Sequence, residues 1–360
     1  MKISKDYFLN WVHNSYSIDA KTLGFIRIVF GAAYLFILGM YHFEWVGKVA
    51  YPTILFNPPP SAMSFFKTFP PEWIGHFFNF SIVLLAFFVM VGYKTRFSSI
   101  LLGVFIILGF TTVVSFGKIL HLLLYPYTAI MMSFTNWGSE LSLDKKFNSK
   151  RNTKNPMWPL TYLSLIIAFA YFTSGFSKVL GGWFLTDYQA VKWYFLYEYF
   201  VTQRTDLLAN VFIGITSSLF WEFMDWYVVF IETIILLSIL KPNYFRFFLA
   251  NILAMHIGVF FILNINFTIF IVVFLPFIDW SKLSFPKSKY WIKMLYYLEN
   301  IFFKIKLIHI LIIYFFYMLI FYWRGYDSWL EMYSPEYNAF AFVVPFVLIF
   351  LVWQHLKIRK

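Results

Sequence analysis

The chain contains no cysteine, which excludes disulfides, thiolate metal ligands and thiol nucleophiles. Charge is scarce as well: Asp, Glu, Lys and Arg make up 13% of the 360 residues, against about a quarter in soluble domains. HExxH, GxxxxGK and GxSxG strings are absent, and none of the seven histidines pairs with another at i, i+3 or i, i+4. A sequence-local zinc site, a phosphate-cradling loop and a serine nucleophile elbow are therefore unsupported. No internal repeat or low-complexity tract is evident.

What fills the chain instead is apolar. Hydrophobic residues make up 61% and aromatics 24%, with 49 Phe, 25 Tyr and 14 Trp. A composition so far from that of a soluble domain reads as a multi-pass membrane protein. Many of the Trp and Tyr residues flank the apolar runs, where headgroup-level belts form. The net charge of +12 does not argue for nucleic acid, because the basic residues cluster in short segments between apolar runs. A mostly polar stretch precedes the first run without a small-residue cleavage site, so it does not read as a cleavable signal.

The apolar runs predict an all-α transmembrane bundle of about ten spans with no large soluble domain. Their cores are 22–42, 74–92, 97–116, 118–134, 158–180, 218–240, 244–263, 265–280, 306–323 and 337–356, and 207–217 reads as an interfacial segment. Lys94 and Arg96, Lys145 to Lys154, Lys241 and Arg246, Lys282 to Lys293, and the C-terminal Lys357, Arg359 and Lys360 then share a side with the N-terminal lysines. By the positive-inside rule both termini are cytoplasmic. The polar segment 135–157 separates a four-span front from a six-span back. The outer segment 43–73, with Pro58-Pro59-Pro60 and Pro70-Pro71, cannot be one helix and is expected to be extended or broken-helical.

Within this topology Lys178 lies at the outer end of the fifth span. It is either a lysine snorkelling at the membrane edge or an amine held partly out of water, the situation in which lysines become bases. His121, at the outer start of the fourth span, and His256, in the outer half of the seventh, fall in the same leaflet. The sixth span carries Glu222, Asp225 and Glu232. At about 100° per residue, Asp225 and Glu232 lie within roughly 20° of each other and Glu222 within about 80°. Such a stripe should face the bundle interior, as a proton path, as a counter-charge for Lys178 or Arg27, or as a structural pair. Arg27 near the inner end of the first span reads as snorkelling or structural, and Asn251 as helix–helix glue.

Several of these segments together resemble the HTTM family, whose best-known members are the vitamin K-dependent gamma-carboxylases. Phe25-Ile26-Arg27-Ile28-Val29-Phe30-Gly31 is similar to the family's FRxxFG start, and Pro70-Pro71-Glu72-Trp73 to a Pro/Trp pair before the second span. Gly92-Tyr93-Lys94-Thr95-Arg96 is similar to its GxxTR turn. His121 with Tyr125, and Trp137 followed by Leu141-Ser142-Leu143-Asp144, resemble the segments after the third span. The stretch Tyr171 to Trp183 resembles the segment that holds the carboxylase's catalytic lysine, with Lys178 on that lysine. Glu232 and His256 resemble an acid and a histidine of later spans.

The resemblance implies a reduced naphthoquinone as cofactor, Lys178 as the base toward it, His121 as a hydrogen-bond donor to the developing oxyanion, and Glu232 setting a charge state. Trp183, Tyr125 and Arg27 are the expected cofactor-binding positions. The implied activity is quinol- and O2-dependent proton abstraction and carboxylation at an outward-facing site. The expected location is a bacterial inner or plasma membrane, and the expected partners are the lipid bilayer with a peptide or protein substrate or a partner membrane subunit. The chain departs from the carboxylase in two ways. No large non-membrane region is expected after its spans, and Gly181-Gly182 stand where the family has an acid just after the lysine. Residues 1–285 are therefore read as the HTTM-like domain and 286–360 as two additional spans. The alternatives are a non-enzymatic subunit of a peptide maturation or export system, and a proton-coupled transporter using Asp225 and Glu232.

Overall fold

A backbone in hydrocarbon must satisfy its own N–H and C=O groups, which a helix does within one segment. The computed structural model describes residues 5–36, 43–48, 51–116, 123–147, 155–185, 188–263, 265 and 269–280, with single positions 293, 312 and 315. Among these, all regular structure is helical. The order is α1 (Lys5–Asn14), α2 (Ala20–Phe36), α3 (Trp45–Lys48), α4 (Glu72–Val91), α5 (Thr95–Val113), α6 (Leu124–Met132) and α7 (Leu143–Phe147). There follow α8 (Trp158–Leu180), α9 (Ala190–Phe200), α10 (Ala209–Phe212), α11 (Ser218–Ser238), α12 (Pro242–Leu263) and α13 (Ile269–Phe274).

Four described helices, α4, α5, α8 and α12, are long and apolar enough to cross a membrane. The 21-residue α11 matches them in length but carries Glu222, Asp225 and Glu232. The apolar runs at 74–92, 97–116, 158–180, 218–240 and 244–263 correspond to α4, α5, α8, α11 and α12. Punctuation follows backbone chemistry. Pro242 and Pro159 sit in first turns, where a missing N–H costs nothing, and α4 stops at Gly92, whose φ of 71° is left-handed. The segment 43–73 is broken-helical: α3 is followed by 3₁₀ turns at Thr53–Leu55 and Ala62–Phe65. Phe69 packs there against Tyr51 and Phe56, at 5.5 and 5.2 Å between ring centroids. In the run 265–280, α13 ends at Phe274 and a 3₁₀ turn containing Pro276 follows. In place of an interfacial helix over 207–217 stands the four-residue α10. Apart from the single positions 293, 312 and 315, the ninth and tenth runs with their flanking charges, and His121, lie outside the described residues.

The chain forms two compact units, one centred on 17–160 and the other built from 161–278 with the N-terminal 16 residues. In the first, a knot of polar contacts ties α2, α4, α5 and α7 together. The fully buried Arg27 donates from Nη1 to the Val89 carbonyl at 3.0 Å and from Nη2 to the Leu141 carbonyl. Val89 lies in the last turn of α4, where its carbonyl also accepts from the Gly92 N–H at 3.1 Å and a cation complements the dipole. Asp144 accepts from the backbone N–H groups of Lys94 and Thr95, both at 2.8 Å, and so caps α5 from another segment. Its own N–H donates to Gly92 O at 2.9 Å. Three of the short strings noted above, around Arg27, Gly92–Arg96 and Leu141–Asp144, are thus one structural feature.

Replacing Asp144 by Ala removes both acceptors at the start of α5 and should cost about 1–2 kcal/mol, with Asp144→Asn milder. Thermal unfolding in detergent should show a lowered midpoint for Asp144→Ala; an unchanged midpoint would refute the cap's contribution.

Candidate functional site

On α8, Tyr171, Ser174, Gly175 and Lys178 recur at i, i+3, i+4 and i+7 and therefore share one face. Gly175 is what lets that face meet α11. A Cβ there would fall 2.8 Å from the Glu232 Cβ and 2.9 Å from Thr233 Cγ2. The close approach brings the Lys178 ammonium onto the Glu232 carboxylate as an ion pair, and Nζ also donates to Ser174 Oγ at 2.8 Å. Both side chains are withdrawn from solvent, Lys178 to 20% and Glu232 to 6% exposure.

The end of α8 supplies a third partner. Gly182 is left-handed at φ 79°, and the N–H groups of Gly182 and Trp183 donate back to Val179 and Lys178 carbonyls, each at 3.1 Å. This is a Schellman cap, which needs a residue that tolerates positive φ. It turns Trp183 back so that its ring lies 5.4 Å from the Lys178 ammonium, a cation–π contact. Lys178 is therefore gripped by a carboxylate, a hydroxyl and an indole rather than extended toward water.

One helix further, the buried Tyr171 hydroxyl and His256 Nε2 lie 2.9 Å apart, joining α8 to α12. If the phenol donates, Nε2 is the acceptor and the ring proton of a neutral imidazole resides on Nδ1. Gly175, one turn after Tyr171 on the same face of α8, is the point at which that face meets Glu232. Three facing helices thus present amine, carboxylate, phenol and imidazole in one neighbourhood.

Asp225 lies two turns before Glu232 on the same face of α11 but does different work. Its Oδ2 and Oδ1 accept from the N–H groups of Ala190 and Val191, both at 2.7 Å, and so cap α9 from a neighbouring helix. The linker after Lys178 is consequently tied at both ends, by the Schellman cap and by Asp225. Beneath α9, Phe195, Ala209 and Trp221 form a small core, with the Phe195 and Trp221 rings stacked at 5.6 Å.

The other polar residues singled out from the sequence have partners of their own. Tyr125 belongs to the first unit, where its hydroxyl donates to Phe30 O at 2.7 Å and its ring stacks on Phe30 at 4.1 Å. Arg27 belongs to the same unit and is bound to backbone carbonyls as described. Asn251 donates to Phe247 O at 2.9 Å within its own helix and accepts from Tyr227 at 3.4 Å. The structure thus brings together Lys178, Glu232, Trp183 and His256, with Tyr171 and Ser174 added. The last two were not singled out from the sequence, although their spacing from Lys178 was a legible signal. Among the described residues no cluster of three or more His, Asp or Glu side chains could hold a metal ion.

The sequence model of the HTTM domain matches residues 16–280, a stretch that contains every residue of this site. No curated protein and no solved structure matches the chain.

The pair has a thermodynamic signature. Removing one partner of a buried ion pair costs about 3–5 kcal/mol by stranding the other charge, whereas neutralising both is far milder. Lys178→Met should therefore lower the unfolding midpoint more than Lys178→Met combined with Glu232→Gln. Additive losses in that double-mutant cycle would contradict the pairing. Gly175→Leu should push α8 from α11 and cost about 1–3 kcal/mol in the same assay.

Proposed function

The chain belongs to the HTTM family, membrane proteins related to the vitamin K-dependent carboxylases, and from that premise we propose that it is a carboxylase-like membrane enzyme that uses a reduced naphthoquinone and O2 to abstract a proton from a carbon acid. The observation that carries this reading is the Lys178–Glu232 pair flanked by Ser174, Trp183 and the Tyr171–His256 bond. The donor set fits a flat, weakly acidic aromatic diol: an amine for a hydroxyl, an indole for an aromatic ring, and a phenol–imidazole pair for a second polar edge. Trp183 and Lys178 are the residues that would hold it, with His121 as hydrogen-bond donor on the strength of the resemblance. When bound, the cofactor would supply with O2 the strong base needed to deprotonate carbon.

The protein's own contribution is proton management. As an ion pair, Lys178 and Glu232 are net neutral, and so is the tautomer in which the proton has moved from Nζ to the carboxylate. In that tautomer the amine lone pair can accept a proton from a hydroxyl brought against it, as a general base must. As the N–H bond forms and the O–H bond breaks, the new ammonium stands beside a neutral Glu232 carboxyl and is balanced by the oxyanion left on the hydroxyl; release of the Glu232 proton then restores the ion pair. Ser174 orients Nζ, and Trp183 covers it. Tyr171–His256 offers a second route for a proton between α8 and α12. The transporter alternative gains less from this arrangement, since Asp225 spends both carboxylate oxygens on the backbone of α9. The site is proposed to face outward, and its substrate to be a peptide or protein glutamate or a related carbon acid.

The test is epoxide formation by purified protein in lipid nanodiscs supplied with reduced naphthoquinone, O2 and bicarbonate, followed by mass spectrometry. Lys178→Arg is the informative variant because it keeps a cation beside Glu232 but cannot serve as a base. Wild type should form epoxide and folded Lys178→Arg should lose it by about 100-fold or more. Epoxide at the wild-type rate from Lys178→Arg would remove Lys178 from the chemistry. No epoxide from folded wild type, with and without cell extract as a source of substrate, would favour a non-enzymatic membrane subunit.

A further inference from the structure

One conspicuous surface lies beside the site, which touches it where the Tyr194 and Trp183 rings stand 5.9 Å apart. Along α9, Trp193, Tyr194, Tyr197 and Phe200 are 55–65% exposed. Positions 193, 197 and 200 stand at i, i+4 and i+7, and 194 adjoins them, so the four rings form one stripe. The other side of the helix is spoken for: Phe195 is buried against Trp221 and Ala209, and Val191, Leu196 and Tyr199 pack around them. The two charged residues of α9 fall on either side of the stripe and are engaged locally, Lys192 with Gln189 at 3.2 Å and Glu198 with Arg204 at 3.2 Å. Four adjacent exposed aromatics, each offering about 150–250 Å² when buried, exceed what a water-facing surface ordinarily carries.

The position of the stripe identifies what covers it. Asp225 and Trp221 tie α9 to the first two turns of α11, which begins at Ser218. At about 1.5 Å per residue those ties lie roughly 5–10 Å in from the helix end. The same turns of α11 expose Leu219, Phe223 and Trp226, an apolar surface beside α9. α8, which is apolar and long enough to span, ends just before the linker to α9, with Leu180 exposed. Trp and Tyr, with an apolar body and a polar tip, are the residues that settle at the headgroup–acyl boundary, and amphipathic interfacial helices insert about 5–10 Å into it.

We propose that α9 is an interfacial helix whose stripe of Trp193, Tyr194, Tyr197 and Phe200 is immersed in the headgroup–acyl boundary of the bilayer. Through Asp225 at one end and the Schellman cap at the other, it anchors the Lys178 end of α8 at the membrane surface. The inference depends only on the chain being membrane-embedded and stands apart from the quinol reading.

The absence of cysteine makes the test direct, since any introduced thiol is the sole labelling site. Tyr197→Cys and Trp193→Cys place a spin label on the stripe. Thr205→Cys gives a polar exposed reference, and Phe169→Cys in mid-α8 gives a lipid-facing one. In nanodiscs, collision of the label with O2 and with a water-soluble nickel chelate would be read by electron paramagnetic resonance. The stripe labels should show an O2-to-nickel ratio several-fold above that at position 205 and approaching that at 169. Nickel access equal to that at 205 would place the stripe in water and overturn the proposal. Low access to both reagents would mean that protein, a second copy or a partner, covers it, and would overturn the proposal equally. Two stripe positions guard against one variant failing to fold.

Discussion

A charge inside an apolar helix bundle has no water to solvate it, so it must find its partner within the protein or not be there. In a chain with so few charges, those that remain in helices do most of the tying. Arg27 joins α2 to the end of α4 and to the segment before α7. Asp144 and Asp225 each lend a carboxylate to the bare N-terminus of a different helix, in each case taking two backbone N–H groups at once. These contacts are long-range in sequence and short-range in space, and they set which helices can be neighbours.

The Lys178–Glu232 pair obeys the same constraint but differs in kind. Arg27 is permanently charged and its acceptors are carbonyls, which do not take up protons at neutral pH. Lys178 faces a group that can exchange a proton with it, so the pair has two neutral arrangements rather than one. The proposed acid–base role rests on that property, and the pair is also part of the packing between α8 and α11. Stability and chemistry are therefore coupled at this position. Gly175 is the less visible element of the arrangement: without a residue lacking Cβ one turn before Lys178, the two backbones would stand too far apart.

Around this interior the outer surface has its own logic. Helices that cross hydrocarbon keep apolar side chains outward, which explains exposed Phe and Leu on α8 and α12 without any appeal to a partner. The rings of α9 are a different case, because that helix is too short to span and is pinned by polar contacts near the end of α11. Its aromatic stripe suits the zone between water and hydrocarbon, where an indole or phenol can keep its polar edge hydrated.

Much of this was legible from the chain alone. Apolar run length located α4, α5, α8, α11 and α12 to within a few residues, because length and hydropathy are one-dimensional properties and the bilayer imposes them locally. The family resemblance and the singling out of Lys178 and Glu232 were also available from residue order. The division of labour among polar residues was not. Asp225 and Glu232 share a helix face and look interchangeable in sequence, yet one caps a helix and the other pairs with a lysine. Arg27 and Tyr125 donate to backbone carbonyls, and Tyr171 and Ser174, whose spacing from Lys178 was legible, gained partners only once the chain had folded. Such roles are decided by which helices meet, and that depends on a missing Cβ at Gly175 and a left-handed Gly182 whose consequences appear only when the chain has folded. Sequence determined the helices and the presence of Lys178 and Glu232 within apolar runs; tertiary structure alone decided which polar groups answer each other, because pairing is a matter of distance across helices and not of position along them.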